Sequence, residues 1–294
     1  MQMRSVLMGI VAAAMLLLSA GVARAQDNYE IQVYGSDTVE RGATMVELHS
    51  NFTIEGSEPV PGSDRTADGT WPTNHALHET LEITQGITPW FETGFYVFTS
   101  AQSEYGWAWV GDHIRPRVRA PDSWHWPVGA SLSVEVGYQQ ASFSPDTWTI
   151  EVRPIVDKRL GRWYLAFNPT FDKSLHGPGV SEGWIFSPNA KASYDVIRWK
   201  SGDYPKALAL GLEYYGSVGP WDNPDPFADQ QEQFVPAIDL DVSPRWEFNF
   251  GVGIGVTAAT DHLLVKGIVG RRFDFGRPKT KGKGDLGLPA SSSK

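Results

Sequence analysis

The segment Trp246-Glu-Phe-Asn-Phe-Gly-Val-Gly-Ile-Gly-Val256 decides how the rest of the sequence is interpreted. Every second residue is large and apolar, and the residues between them are Glu247, Asn249 and glycines. Because successive side chains of a strand point to opposite faces, this alternation predicts a β-strand with one apolar and one polar face. A segment of this length also suits a tilted strand that crosses a bilayer.

The same alternation recurs along the chain and predicts eleven further strands. They are Thr44–Glu55, Ala76–Gln85, Trp90–Thr99, Trp107–Arg119, Ser131–Gln139, Trp148–Asp157, Trp163–Phe171, Trp184–Trp199, Ala207–Tyr215, Phe234–Val242 and His262–Phe275. An even number of strands is typical of a single-chain bacterial barrel. The predicted fold is therefore all-β: an antiparallel up-and-down transmembrane β-barrel of about 12 strands over residues 44–275.

A soluble two-sheet sandwich is the alternative, because its strands alternate as well. Two features favour the membrane. The polar faces carry many Glu, Asp and Arg residues, which suits a hydrated lumen, and tryptophans such as Trp90, Trp107 and Trp163 stand near strand ends, as in the aromatic girdles of barrels.

The first 25 residues have the features of a secretory signal peptide. Arg4 precedes a short apolar run, Val11 to Leu18, and Ala23-Arg24-Ala25 is a small-x-small cleavage site. Cleavage there would leave residues 26–43 as a periplasmic segment before the barrel. The sequence contains no cysteine, which excludes a disulfide framework, a thiolate metal site and lipid attachment at a new N-terminal cysteine.

The connections predict an orientation in the membrane. Tight turns are expected at Gly86–Pro89, Lys158–Gly161, Ser201–Pro205 and Ser243–Arg245, which fall at alternate hairpins. The longer linkers, Gly56–His75 and Pro220–Gln231, fall at the opposite end. Since periplasmic turns are short, we expect both termini in the periplasm of a Gram-negative bacterium.

Two hairpins resemble each other: Ile87-Thr-Pro-Trp-Phe-Glu-Thr-Gly-Phe95 aligns with Val242-Ser-Pro-Arg-Trp-Glu-Phe-Asn-Phe250. The phrases Gly86-Ile-Thr-Pro-Trp-Phe-Glu-Thr-Gly94 and Trp246-Glu-Phe-Asn-Phe-Gly-Val-Gly-Ile-Gly255, with the ending Ile268-Val-Gly-Arg-Arg-Phe-Asp-Phe275, resemble a recurring element of the MetA-pathway phenol-degradation family. That family comprises outer-membrane barrels associated with uptake of aromatic or other hydrophobic compounds. The resemblance implies fold and location; its motifs are structural and imply little about the substrate.

Residues 276–294 depart from the usual ending of such barrels, a terminal Phe that resembles a recognition signal for the barrel-assembly machinery. This tail is rich in Lys and then Ser, without periodicity, which predicts disorder. The alternative is a tail that folds into the lumen, where Lys279, Lys281 and Lys283 would meet carboxylates.

The polar faces supply the candidate functional residues, which are expected to line the lumen and to set its selectivity. They are Glu47, His49, Glu82, Glu92, Arg115, Arg117, Arg119, Glu135, Glu151, Arg153, Glu213, Asp239, Glu247 and Lys266. One interpretation is a selectivity lining in which the Arg row faces acids across the pore. The other is an ion-paired interior that braces the wall and passes little, because unpaired buried charges are costly.

Catalysis and metal binding have little support in the sequence. His49 and Ser50 are adjacent, so a strand directs them to opposite faces and they cannot form a nucleophile–base pair. Asp222, Asp225 and Asp229 could supply oxygen ligands to calcium, although the sequence favours a solvated acidic loop over a calcium site.

The sequence therefore predicts an outer-membrane channel or transporter for small, hydrophobic or aromatic solutes, without cofactor or metal. Its expected partners are outer-membrane lipid, the solute and the assembly machinery. The net charge of −9 disfavours nucleic acid. The alternatives are a non-conducting structural or surface barrel and a lipid-modifying enzyme.

Overall fold

The computed structural model of the protein describes residues 28–201 and 204–274. The expected signal peptide, residues 1–25, and the expected tail, residues 276–294, lie outside the described residues. Among the described residues no helix is long and apolar enough to cross a membrane.

The strands form one closed antiparallel sheet in which each strand pairs with its neighbours in sequence and β12 pairs with β1. They are β1 Thr44–Glu55, β2 Leu77–Thr88, β3 Phe91–Gln102, β4 Gly106–Arg119, β5 Gly129–Gln139, β6 Trp148–Leu160, β7 Trp163–His176, β8 Ile185–Ser201, β9 Tyr204–Ser217, β10 Gln231–Ser243, β11 Trp246–Gly255 and β12 Leu263–Phe273. The predicted twelve-stranded up-and-down barrel is confirmed. Closure removes the unpaired edges that an open sheet would expose.

The alternation of the sequence sorts side chains between the outside and the inside of the barrel. In β1, Leu48 and Phe52 are 45% and 40% exposed on the outer surface, whereas His49 and Asn51 are buried in the interior. The other strands repeat this arrangement. An apolar outer surface around a polar interior is the reverse of a soluble β-protein and suits a hydrocarbon surrounding.

The two ends of the barrel differ in their connections. At one end, called the short-turn end, residues 89–90, 161–162 and 244–245 join strands in two-residue connections. The longest connections, 56–76 and 218–230, lie at the other end, called the long-loop end. The expected division is thus observed, although β2 continues through Gly86 to Thr88 before its turn. One connection at the short-turn end, residues 120–128, is longer and contains a short 3-10 helix, Asp122–Trp124.

Residues 28–43, called the luminal segment, lie inside the barrel instead of forming the expected periplasmic segment. The Nδ2 of Asn28 donates to Asp261 in the β11–β12 connection at 2.6 Å, so the segment starts at the long-loop end. It runs down the interior to Thr44, where β1 begins at the short-turn end. Asn28 and Asp274 therefore lie at opposite ends of the barrel.

Apolar side chains of the luminal segment explain why it is inside. Ile31 and Val33 pack against inward-facing apolar residues of the wall, including Val235 and Leu264. Burying these side chains together removes from water apolar surface that an empty polar lumen would leave hydrated.

Gly86 allows the segment to pass close to the wall. The Gly86 nitrogen donates to the carbonyl of Ala43 at 3.0 Å, and the Gly42 nitrogen donates to the carbonyl of Gly86 at 2.8 Å. A Cβ atom at position 86 would lie 2.1 Å from the carbonyl oxygen of Glu40. Glycine at this position is therefore required by the close backbone approach.

Candidate functional site in the barrel lumen

The residues expected to line the lumen lie in the inward-facing rows of their strands. Ten are buried: Glu47, His49, Glu82, Glu92, Arg115, Arg117, Glu135, Arg153, Glu213 and Lys266. Arg119, Glu151 and Asp239 are partly buried. Glu247 is exposed at the short-turn end, where it accepts from Arg272 at 3.4 Å.

The arginines of β4 and β6 surround one tyrosine of the luminal segment. The guanidinium carbons of Arg115 and Arg153 lie 4.2 and 4.7 Å from the centre of the Tyr34 ring, and that of Arg117 lies at 5.8 Å. A cation over an aromatic face is attracted by the ring quadrupole. Tyr34 also donates its hydroxyl to Glu30.

These arginines also pair with carboxylates. Arg115 contacts Glu82 at 2.7 Å, and Arg153 contacts Glu151 at 2.6 Å and Glu30 at 3.3 Å. The Arg row is thus occupied by acids and by the luminal segment, which matches the geometry of the braced interior. A selectivity role for this row remains a prediction.

Arg117 binds the backbone of the luminal segment directly. Its two terminal nitrogens donate to the carbonyls of Gly35 at 3.1 Å and Asp37 at 2.6 Å. The same side chain contacts Glu92 at 2.6 Å. Three bonds from one guanidinium therefore join β3, β4 and the segment.

A second ion-paired cluster holds the segment on the opposite wall. The Lys266 ammonium donates to Glu213 at 2.5 Å and to the carbonyl of Ile31 at 2.8 Å. Glu213 also pairs with Lys191 at 3.1 Å, and Lys191 pairs with Asp239 at 2.6 Å. Alternating charges on four strands, β8, β9, β10 and β12, keep each of these ions paired.

Two histidines face carboxylates in the interior. His113 Nδ1 lies 2.5 Å from Glu135, and His49 Nε2 lies 3.5 Å from Glu82. Ser50, next to His49, bonds Glu79 at 2.8 Å on the other face of the sheet. The expected separation of Ser50 from His49 is confirmed.

A cavity of about 510 Å³, called the vestibule, occupies the long-loop end above the luminal segment. Tyr29 and Glu30 line its floor, and the connections 56–76, 140–147 and 177–184 contribute to its rim. Cavities of this size hold small organic molecules. Below it, the luminal segment fills the interior.

Trp71, Tyr105 and Phe143 form an aromatic wall on one side of the vestibule. The ring centres of Trp71 and Tyr105 lie 4.8 Å apart, and those of Tyr105 and Phe143 lie 5.5 Å apart. No periodic pattern in the sequence predicts these residues, because each comes from a different connection.

No group of three or more His, Cys, Asp or Glu side chains in the described part of the chain is arranged to hold a metal ion. The three aspartates considered for calcium, Asp222, Asp225 and Asp229, lie in the 218–230 connection. The backbone carbonyl of Asp225 accepts a hydrogen bond from the side-chain Nε2 of Gln230 at 2.6 Å.

Comparison with known proteins supports the fold. No protein-family model matches the sequence, and no curated protein matches it. Among solved structures, the chain is similar to an outer membrane channel from Pseudomonas putida F1, with 12% identity and a TM-score of 0.51 over 83% of this chain and 100% of the channel. It also matches the translocator domain of the autotransporter NalP from Neisseria meningitidis, with 7% identity and a TM-score of 0.45 over 82% of this chain and 91% of that one. The likeness to the channel shows that the barrel has the fold of an outer-membrane protein.

Proposed function

We propose that this protein is an outer-membrane channel or transporter for small hydrophobic or aromatic solutes. The observation that carries the proposal is a closed barrel whose outer surface is apolar and whose polar interior opens into a 510 Å³ vestibule. An apolar outer band requires a hydrocarbon environment, and a vestibule lined partly by aromatic rings suits an aromatic solute. The fold shared with an outer membrane channel supports the same proposal.

The orientation follows from the connections. Short turns face the periplasm in bacterial barrels, so the short-turn end is periplasmic and the vestibule opens to the cell exterior. The barrel-assembly machinery would then insert the chain from the periplasmic side, and the apolar band would contact outer-membrane lipid.

Passage through the barrel requires the luminal segment to move. The segment is held at Asn28, Ile31 and Gly35 by hydrogen bonds from or to the wall. Each bond contributes about 1 kcal/mol net, so displacement is costly but can be offset by a solute or by water. The segment is therefore the element that controls passage.

A cross-link at the start of the segment tests this function. The sequence has no cysteine, so the double variant Asn28→Cys/Asp261→Cys places the only two thiols where the native side chains bond at 2.6 Å. Joining them with dibromobimane pins the segment at both ends, since residue 43 continues into β1. We expect uptake of a small aromatic solute into proteoliposomes to fall strongly on cross-linking.

The single variant Asn28→Cys, treated with the same reagent, is the matched control and should keep the uptake of the unmodified protein. Equal uptake with and without the cross-link would show that passage does not need the segment to move. A correctly folded protein that passes no solute in any form would refute the channel function and favour a non-conducting barrel.

A further inference from the structure

The connections of the long-loop end are strongly acidic. Residues 56–76, 103–105, 140–147, 177–184, 218–230 and 256–262 together contain ten Asp or Glu residues and one basic residue, Arg65. The described connections at the short-turn end, residues 89–90, 120–128, 161–162 and 244–245, contain one acid, Asp122, and two bases, Arg162 and Arg245. Charge of one sign around the mouth of a cavity raises the local concentration of oppositely charged solutes.

The side chains that line the vestibule are also predominantly acidic. Its lining includes two cationic side chains, Arg153 and Lys173, and six carboxylates. The carboxylates are Glu30, Asp68, Asp146, Glu151, Asp172 and Glu182. Arg153 is already paired with Glu151 and Glu30, so it does not offset the acids nearer the rim.

Two of the rim carboxylates bond to neutral donors. Asp68 accepts from the hydroxyl of Thr70 at 2.8 Å, and Asp146 accepts from the backbone N–H of Gly179 at 2.8 Å. Such bonds orient a carboxylate without neutralising it. Both side chains line the vestibule, so their carboxylates face a solute that is bound there.

The aromatic wall stands beside these carboxylates. Its rings can stack on an aromatic solute and can attract a cation over their faces. Trp71 already binds one cation in this way, because the guanidinium of Arg65 lies 3.5 Å from its ring centre. Arg65 is not among the residues that line the vestibule.

A buried histidine adds a hydrogen-bond acceptor. His78 lines the vestibule, is 4% exposed, and its Nε2 has no hydrogen-bond partner among the described residues. Its Nδ1 faces the hydroxyl of Ser100 at 3.5 Å, and its ring packs edge-on against Tyr29. When the ring proton is on Nδ1, Nε2 accepts a hydrogen bond from an ammonium N–H.

We propose that the vestibule binds organic cations, namely ammonium groups attached to an aromatic or apolar group. The ammonium lies among the rim carboxylates, and the apolar part contacts the aromatic wall. This inference rests on the proposed function, because it names the class of solute that the channel receives. Neutral phenol-like solutes lack the charge that the rim attracts, and anions are repelled by it.

Three probes of similar size and different charge test the proposal: phenethylamine, phenethyl alcohol and phenylacetate. Binding to the full-length protein in neutral detergent is measured by calorimetry at low ionic strength. We expect the amine to bind at least about tenfold tighter than the alcohol, and phenylacetate more weakly than either. Raising the salt concentration should reduce the preference for the amine, because exposed charges are screened.

The double variant Asp68→Asn/Asp146→Asn separates the charge from the shape of the site. It keeps an acceptor oxygen at each position, so the amine should lose most of its advantage while the alcohol binds as before. Asp222→Asn is the matched control, since Asp222 is an exposed acid that does not line the vestibule. Trp71→Leu should weaken both ligands.

Equal affinities of phenethylamine and phenethyl alcohol would overturn the proposal. Displacement of bound phenethylamine by Mg²⁺ at matched ionic strength would also overturn it, because the site would then recognise charge without the aromatic group. Transport is measured separately in proteoliposomes. A protein that passes solutes without preferring the amine refutes this inference and leaves the channel function standing. A protein that binds the amine but passes nothing refutes the channel function alone.

Discussion

Lys266 illustrates how single residues hold the interior together. It is fully buried, pairs with Glu213 and donates to the backbone of the luminal segment. Since a buried charge that loses a counter-ion becomes costly, loss of Lys266 leaves the buried Glu213 with Lys191 in place of two cations.

We expect Lys266→Met to lower the free energy of unfolding by about 3–5 kcal/mol, because Glu213 remains buried without this partner. The double variant Lys266→Met/Glu213→Gln should recover part of the loss. Arg159→Met is the control: its pair with Asp195 is 3.1 Å long but Arg159 is 47% exposed, so the cost should be below about 1 kcal/mol. Urea unfolding in lipid vesicles measures all three, and equal losses for Lys266→Met and Arg159→Met would contradict the assignment.

Substitution of Gly86 tests the close approach between the backbones of β2 and the luminal segment. In Gly86→Ala the added Cβ meets the carbonyl of Glu40, so either the segment or β2 must shift. We expect faster amide hydrogen exchange at residues 39–43 and lower stability. Gly267→Ala is the control, because the nearest atom to its Cβ would be a side-chain carbon of Phe250 at 3.3 Å. Unchanged exchange in Gly86→Ala would refute the close-approach argument.

The sequence predicts the presence of each strand better than it predicts where the strand ends. All twelve were predicted, because a residue period of two is a direct consequence of strand geometry. Their ends were predicted less well: β7 was expected to end at Phe171 and continues to His176. Beyond Phe171, Lys173 interrupts the apolar row before the exposed Leu175, while backbone pairing with β6 continues to His176, so the alternation does not mark the end of the strand.

The luminal segment is the element whose position the sequence did not predict. A signal was present in the wall: Val235 and Leu264 are apolar residues in rows otherwise expected to be polar. An inward-facing apolar side chain requires an apolar partner inside the barrel. Ile31 and Val33 supply that partner, but nothing in their local sequence indicates where they pack.

Deletion of the luminal segment tests whether this element limits flow through the barrel. In a chain lacking residues 28–36, the bonds from Arg117 to Gly35 and from Lys266 to Ile31 are lost and the interior fills with water. We expect a larger single-channel conductance in planar bilayers than for the full chain. In that opened barrel, Arg117→Glu should shift the reversal potential toward cation preference if the Arg row sets selectivity. Identical conductance with and without the segment would show that it does not limit flow.

At the scale of the whole molecule, the apolar outer surface of the barrel indicates a bilayer environment. Leu48 faces outward near the middle of β1, and Val60 is similarly exposed in the 56–76 connection. In a bilayer we expect Leu48→Arg to cost about 2–4 kcal/mol of folding free energy, because the charge enters hydrocarbon. Val60→Arg, in water, should cost little. Folding titrations in phospholipid vesicles compare the two, and equal small effects would contradict membrane insertion.

The sequence by itself determined the strand count, the sorting of side chains to two faces, and the residues that would face inward. These depend on local geometry, since each strand displays its period whatever lies beside it. Only the tertiary structure decided what those residues contact: the Arg row pairs with acids and encloses Tyr34, and Trp71, Tyr105 and Phe143 meet at the vestibule. Contacts between distant parts of the chain depend on closure of the sheet, which brings together residues that no local pattern relates.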